Sequence, residues 1–254
     1  MIAISPSTTH LLLDIEGTTC PVSFVAEVLF PYARQRLEGF LEDQASDPEI
    51  CSLIAALDAA WAGDDQLEAQ ALRARHRTGH TPCTGGEVVP YLRWLIDHDI
   101  KLTPLKDLQG RIWTAGYASG ELVAPLYDDV PDALQRWHGG GLVLAVYSSG
   151  SVAAQQLLYG HSQAGDLCPL FSHWFDTRTG PKQAAASYGA IAEAMAVSPE
   201  AVLFISDSLA ELEAAAEAGM AVLFSDREGN PNREGGCFER IGHYSQLALP
   251  HGAH

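Results

Sequence analysis

One strand-like segment stands alone near the start of the chain, and every other one comes after residue 141. The early segment is HLLLD, residues 10–14, an apolar run closed by an acid and followed shortly by Gly17. Apolar character without alternation is what a strand buried on both faces requires, and parallel sheets are the ones covered on both faces. From about residue 22 to residue 138 the pattern is helical: VAEVLFPYARQRLEGFL, DPEICSLIAALDAAWA with Asp47 as its N-cap, DQLEAQALRARH, GEVVPYLRWLIDH and a segment after Pro104. From Leu142 onward strand and helix alternate: LVLAVYSS, SVAAQQLLYG, HWFD, KQAAASYGAIAEAMAV, AVLFISD, SLAELEAAAEAGM and AVLFSD. Such alternation makes βαβ units and a parallel sheet. The sequence therefore predicts an α/β fold, a Rossmann-like parallel-sheet core interrupted after its first strand by a helical insertion of roughly a hundred residues, well beyond an ordinary connection. The core domain is expected at residues 1–20 and 125–254 and the inserted helical cap domain at 21–124. An insertion that leaves the carboxyl end of the first strand and returns near it is placed to cover a site there.

Charge narrows the partners. Asp and Glu number 32 against 15 Lys and Arg, a formal net charge of -17, which argues against a nucleic-acid or anionic-membrane surface. A phosphate ligand would need local cations. The opening residues MIAISPSTTH have neither a basic region nor a long apolar stretch, and no later run could span a bilayer, so a cytoplasmic protein is expected. Its five cysteines, Cys20, Cys51, Cys83, Cys168 and Cys237, are scattered without a Cys-x-x-Cys pair and read as reduced fillers. His76 and His80 have the spacing of a helical metal pair, but Gly79 lies between them among cationic neighbours, and a solvated helix end is the reading adopted. REGNPNREGG near the C-terminus reads as a turn-rich loop. No exposed apolar stripe is legible, and a monomer is expected.

Four polar clusters fall where strands end. Asp14 and Glu16 close the first strand, and two acids held close resist joint ionisation unless a cation or a shared proton relieves them. Ser148 and Ser149 follow LAVY, where hydroxyls and backbone N–H groups could take phosphate oxygens; a Ser-Ser-Gly turn with Ser151 as N-cap accounts for the same letters. Lys182 follows Gly180 and Pro181 at a helix start, a poor place for a cation beside the helix dipole, with an ordinary surface lysine as the alternative. Ser206 and Asp207 end FISD, with Glu211 one turn on, and Asp207 as an N-cap explains it about as well as Asp207 as a ligand. Jointly the clusters favour one pocket at the carboxyl edge of the sheet. Asp14 and Asp207 would offer hard oxygens to Mg²⁺, Lys182 would balance charge, and Ser148 or Ser149 would hold a phosphoryl group. Such an Asp can attack phosphorus while a second acid two residues on protonates the leaving group.

DIEGTT at Asp14 to Thr19, the Ser148-Ser149 pair, Lys182, and Ser206-Asp207 resemble the four motifs of the haloacid dehalogenase superfamily. LLLDIEGTTCPVSFVAEVLFPYA, LQGRIWTAGYASGEL, VYSSGSVAAQQLLYGHSQAGDL and FDTRTGPKQAAASY are similar to its enolase-phosphatase branch, over about Leu11 to Leu223. The first acidic motif of the wider superfamily usually has Asp at both positions, and Glu16 is typical of this branch. The resemblance implies a core of the haloacid dehalogenase type, one Mg²⁺ per chain, and a small-molecule phosphorylated substrate, 2,3-diketo-5-methylthiopentyl-1-phosphate of methionine salvage. That substrate would be enolised and then dephosphorylated through an aspartyl-phosphate to the acireductone. It further implies that Asp14 is nucleophile and metal ligand, that Glu16 is acid/base and gives a backbone carbonyl to Mg²⁺, and that Asp207 completes the protein ligands. Ser148, Ser149 and Lys182 would bind the substrate phosphate, and Glu211 would orient a neighbour. After Asp207 the chain has Ser208-Leu209-Ala210 where the family often has a β-branched residue. Trp113 and Tyr117 are candidate pocket aromatics in the cap, with helical-core packing favoured for both. A phosphatase acting on another small phosphomonoester would share every core residue. A phospho-receiver module would share the acids, hydroxyl and lysine, but not the large helical insertion.

Overall fold

A computed structural model describes residues 1–77, 79, 82–231 and 233–248. They form two compact units, one of residues 1–25 with the described residues from 123 onward, the other of the described residues within 26–122. The chain enters through β1 (Ile2–Ala3) and β2 (His10–Leu13), then winds as a π-helix over Phe24–Leu29. The chain passes from one unit to the other at residue 25, inside that π-helix.

The helical unit holds α1 (Phe30–Asp43), α2 (Pro48–Ala62), α3 (Leu67–His76), α4 (Gly85–Asp97) and α5 (Thr103–Ala118). Two of them start on side-chain caps. Asp47 Oδ1 accepts the Glu49 and Ile50 N–H groups ahead of α2, and Thr84 and Glu87 form a reciprocal capping box ahead of α4. Leu37, Leu57, Trp61, Val88, Leu92, Leu95 and Leu108 are fully buried in its core. Through that core Trp61 stacks on Tyr91 and Tyr91 on Trp94, with centroids 5.0 and 5.9 Å apart. Trp113 packs against this core and donates its indole N–H to the Leu29 carbonyl at 2.9 Å, and Tyr117 is buried, so packing is the observed role of both. His76 is the exposed last residue of α3, and His80 lies outside the described residues.

The second unit resumes with α6 (Val130–Gly139), β3 (Val143–Tyr147), α7 (Val152–Gly160), β4 (Phe171–Phe175), α8 (Ala185–Ala194), β5 (Val202–Ser206), α9 (Leu209–Glu217), β6 (Ala221–Ser225), β7 (Arg240–Ile241) and β8 (Leu247–Ala248). Six strands make one parallel sheet in the order β4-β3-β2-β5-β6-β7, and β1 pairs with β8. β2 is central. His10 to Leu13 lie beside Val143 to Val146 on one side and Val202 to Ile205 on the other. Leu11, Leu12 and Leu13 are all fully buried, which is why the run does not alternate. Leu12 joins Tyr147, Tyr188, Ile191, Phe204, Leu212 and Phe224 in the layer under α8 and α9. Because the chain leaves β2 toward β3 on one side and reaches β5 on the other, the strand order reverses at β2, and the crevice of such a sheet opens at its carboxyl end. Among the described residues no helix is long and apolar enough to cross a membrane. The five cysteines are free.

Candidate active site

Asp14 is the first residue past β2, and its N–H still donates to the Ile205 carbonyl, so strand pairing fixes its backbone. Its side chain is 7% exposed. Asp14 Oδ1 accepts the Ile15 N–H at 2.8 Å and lies 2.8 Å from Lys182 Nζ. Oδ2 lies 3.1 Å from Ser206 Oγ, the last residue of β5. The same hydroxyl is 3.1 Å from Glu211 Oε2, and Lys182 Nζ is 2.7 Å from that oxygen. One ammonium and one hydroxyl thus bridge Asp14 and Glu211. Burial pulls the Lys182 ammonium down, but the Asp14 and Glu211 carboxylates outweigh it, and its pKa is raised overall.

Lys182 does not start a helix. α8 begins at Ala185, and Lys182 sits in the turn before it, removed from the unfavourable dipole that the sequence suggested. The turn is held by its own polar contacts. Tyr188 donates to the Lys182 carbonyl at 2.7 Å, Tyr147 to that of Gly180 at 2.9 Å, and Ser187 to that of Pro181 at 2.8 Å. Gly180 has φ +154°, and a Cβ there would run into the Ser187 side chain.

Asp207 follows β5 and does not cap α9, whose N-cap position is Ser208. Its carboxylate presses on Gly17: a Cβ at that residue, which has φ +67°, would come within 2.6 Å of Asp207 Cγ. Glycine there is what allows the two loops to meet. Burial first, then the Asp14 charge, push the Asp207 carboxyl up to about 7, with Lys182 opposing and Glu16 adding. Glu16, partly exposed, is thus felt at Asp207. Burial and Asp14 likewise push Glu211 up to about 7.

Ser148 and Ser149 follow β3. Ser148 is buried, with its N–H on the Phe175 carbonyl at 3.2 Å, and its Oγ accepts the Gly150 N–H at 3.3 Å; Ser149 is exposed. Ser151 caps α7 by accepting the Ala154 N–H, and the Val152 N–H goes to Asp176 Oδ2. The Gly150, Val152 and Ala154 amides are thus engaged within this turn.

Clustered acids with a single lysine among them form a cation-seeking arrangement. Among the described residues no three His, Cys, Asp or Glu side chains form a ready metal cluster. The donor set nonetheless fits Mg²⁺, which is ordinarily held by one or two carboxylates with water and substrate phosphate filling the remaining positions. Asp14 and Asp207 could supply those carboxylates, and the charge that raises Asp207 is the charge a divalent ion would relieve.

The sequence reading missed the loop after β6. Arg227 and Asn230, inside the stretch read as a plain turn-rich loop, are 3% and 7% exposed. Their position past a core strand's carboxyl end was the available signal, since that rule had picked out the other clusters.

Residues 8–219 match the family model of haloacid dehalogenase-like hydrolases. The chain is 50% identical over 252 residues to enolase-phosphatase E1 of Synechococcus elongatus, covering 95% of this chain and 98% of that protein. It is 51% identical over 221 residues to enolase-phosphatase E1 of Synechococcus sp. strain RCC307, covering 87% and 86%. The crystal structure of the UTR4 protein of Saccharomyces cerevisiae matches with a TM-score of 0.72 at 31% identity, covering 94% of this chain and all of that one.

Proposed function

This chain belongs to the haloacid dehalogenase-like hydrolases, and from that premise we propose that it is a Mg²⁺-dependent enolase-phosphatase converting 2,3-diketo-5-methylthiopentyl-1-phosphate to the acireductone and phosphate. The observation that carries the reading is near-full-length identity of 50% to an enolase-phosphatase E1, together with a buried Asp14 held against Lys182 at the sheet's switch point. In this reading Asp14, Asp207 and the Glu16 carbonyl hold one Mg²⁺, which when bound offsets carboxylate and phosphate charge.

Asp14 then attacks phosphorus. The ester P–O bond breaks as Glu16 gives its proton to the leaving oxygen, leaving phosphate on Asp14. Glu16 next takes a proton from water, whose oxygen attacks the same phosphorus and returns Asp14 as a free carboxylate. Ser148, Ser149 and Lys182 hold the phosphoryl oxygens. The lysine's two carboxylate contacts fix where its charge lies before substrate arrives. The preceding enolisation moves a proton from carbon to the enol oxygen and is redox-neutral.

The test follows enol absorbance and phosphate release separately, with the diketo phosphate, in wild type and Asp14→Asn. Wild type should show both signals and lose them with EDTA. Asp14→Asn should release no phosphate yet still form the phosphorylated enol. Good turnover of other phosphomonoesters beside silence on the diketo phosphate would assign the chain to another phosphatase specificity.

A further inference from the structure

Arg227 and Asn230 lie outside the four polar clusters, yet both are buried in a loop. Buried polar side chains are retained where they have partners, and the partners here converge on the turn that follows Asp14. Asn230 Nδ2 is 2.9 Å from the Gly17 carbonyl and 3.2 Å from Asp207 Oδ2. Its Oδ1 accepts from the Tyr127 hydroxyl at 3.1 Å. The amide is therefore oriented from both ends, its acceptor end by Tyr127 and its donor end toward Gly17 and Asp207. Ser225 gives the Gly17 carbonyl a second donor at 2.9 Å.

One residue along, Arg227 Nε donates to the Thr18 carbonyl at 3.2 Å and Tyr244 donates to it at 3.1 Å. The guanidinium lies between the rings of Tyr127 and Tyr244, 4.6 and 4.3 Å from their centroids, and pairs with Asp129 at 2.9 Å. The Gly17-Thr18 turn is thus clamped by side chains from the loop after β6, and Asn230 alone of these reaches Asp207 as well.

We propose that Asn230 is a positioning residue for the cation site: it ties the Asp207 carboxylate to the Gly17 turn, so that Asp207 and the segment Asp14–Gly17 present their oxygens as one rigid set. A donor fixed on one carboxylate oxygen stops rotation and leaves the other oxygen for the ion, the usual service of groups that hydrogen-bond metal ligands. The proposal rests on the reading of Asp14 and Asp207 as Mg²⁺ ligands.

Mg²⁺ binding to the full chain, measured by calorimetry without substrate and checked by Mn²⁺ competition, tests it in wild type, Asn230→Ala, Tyr127→Phe and Asp207→Ala. Loss of such a partner costs about 10- to 100-fold in metal affinity. Asn230→Ala should therefore raise the Mg²⁺ dissociation constant at least about tenfold, with kcat largely regained at saturating Mg²⁺ and substrate KM little moved. Tyr127→Phe keeps the amide but releases its acceptor end, and should shift the constant less, in the same direction. A loop-filling residue would lower the unfolding temperature and leave Mg²⁺ binding alone, and that result overturns the proposal. Should Asn230→Ala fail to fold, an unchanged dissociation constant in Tyr127→Phe overturns it by itself. If Asp207→Ala loses Mg²⁺ while Asn230→Ala binds as wild type does, only the positioning role falls. If wild type binds no Mg²⁺, or Asp207→Ala binds it normally, the ligand reading fails and takes this inference with it.

Discussion

Lys182 has 10% of its side chain exposed and stands between two carboxylates, 2.8 Å from Asp14 and 2.7 Å from Glu211. A lysine so placed holds two buried carboxylates together, beside the phosphate role proposed for it. Taking it away leaves buried acids facing each other, and breaking a buried pair by removing one partner costs about 3–5 kcal/mol. Lys182→Met should therefore lose about 3 kcal/mol of unfolding free energy in addition to phosphatase activity. Adding Glu211→Gln removes the stranded charge, so the double variant should regain much of the stability and none of the activity. Urea titrations of the two variants decide this: a Lys182→Met midpoint equal to wild type would mean that the ammonium contributes through substrate alone. Asp14, Ser206 and Asp207 could be singled out in the letters because acids and hydroxyls directly after apolar strands lie at the carboxyl edge. Lys182 was legible as an oddity, but its reason was not, since the helix it seemed to start begins three residues later at Ala185. Asn230 and Arg227 were hidden because polar, glycine-rich stretches normally face water, and nothing in local composition shows a loop folding inward.

At the scale of elements, periodicity carried the reading wherever an element was long. The helices described in the insertion follow from apolar spacing, and the four-residue β2 from an unbroken apolar run closed by an acid. The two-residue strands β1, β7 and β8 do not, because a pair of residues has no period to detect. Capping was legible at Asp47, whereas the Thr84–Glu87 box ahead of α4 was not singled out in the letters, and it is energetically specific. Glu87 donates its N–H to Thr84 Oγ1 at 3.3 Å, and its carboxylate accepts the Thr84 N–H at 3.0 Å. Arg77 adds a contact to Glu87 at 3.2 Å, so the box also anchors the segment after α3. Thr84→Ala removes the side-chain acceptor and should cost about 1 kcal/mol, whereas Thr84→Ser should be nearly neutral. Thermal unfolding followed at 222 nm measures both. Equal losses in the two variants would trace the effect to the threonine methyl group instead of the cap.

The whole molecule joins units built on opposite principles of chain continuity. Residues 26–122 are one uninterrupted segment whose helices pack on one another within it, α1 on α4 and α5 and α2 on α5, with a fully buried Leu57, Trp61 and Leu92 in a core of their own. The α/β unit is discontinuous: β2, from the first segment, is central in the sheet and pairs with β3 and β5 from the second. Its sheet cannot close until residues beyond 200 are available. A continuous segment can close its core without distant parts of the chain, whereas pairing β2 with strands from the second segment closes far longer loops at greater entropic cost. The helical unit also falls within the size range of ordinary independent domains. Residues 26–122 expressed alone should therefore be helical by circular dichroism and unfold in a single cooperative transition. The quenching environment of the Trp61–Tyr91–Trp94 stack should be lost at the same midpoint. The complementary first segment, residues 1–25, should be unstructured by itself, since β2 then has no strand on either side. A broad, non-cooperative melt of the isolated helical unit would show that its core is insufficient, and that this insertion depends on the α/β unit for stability.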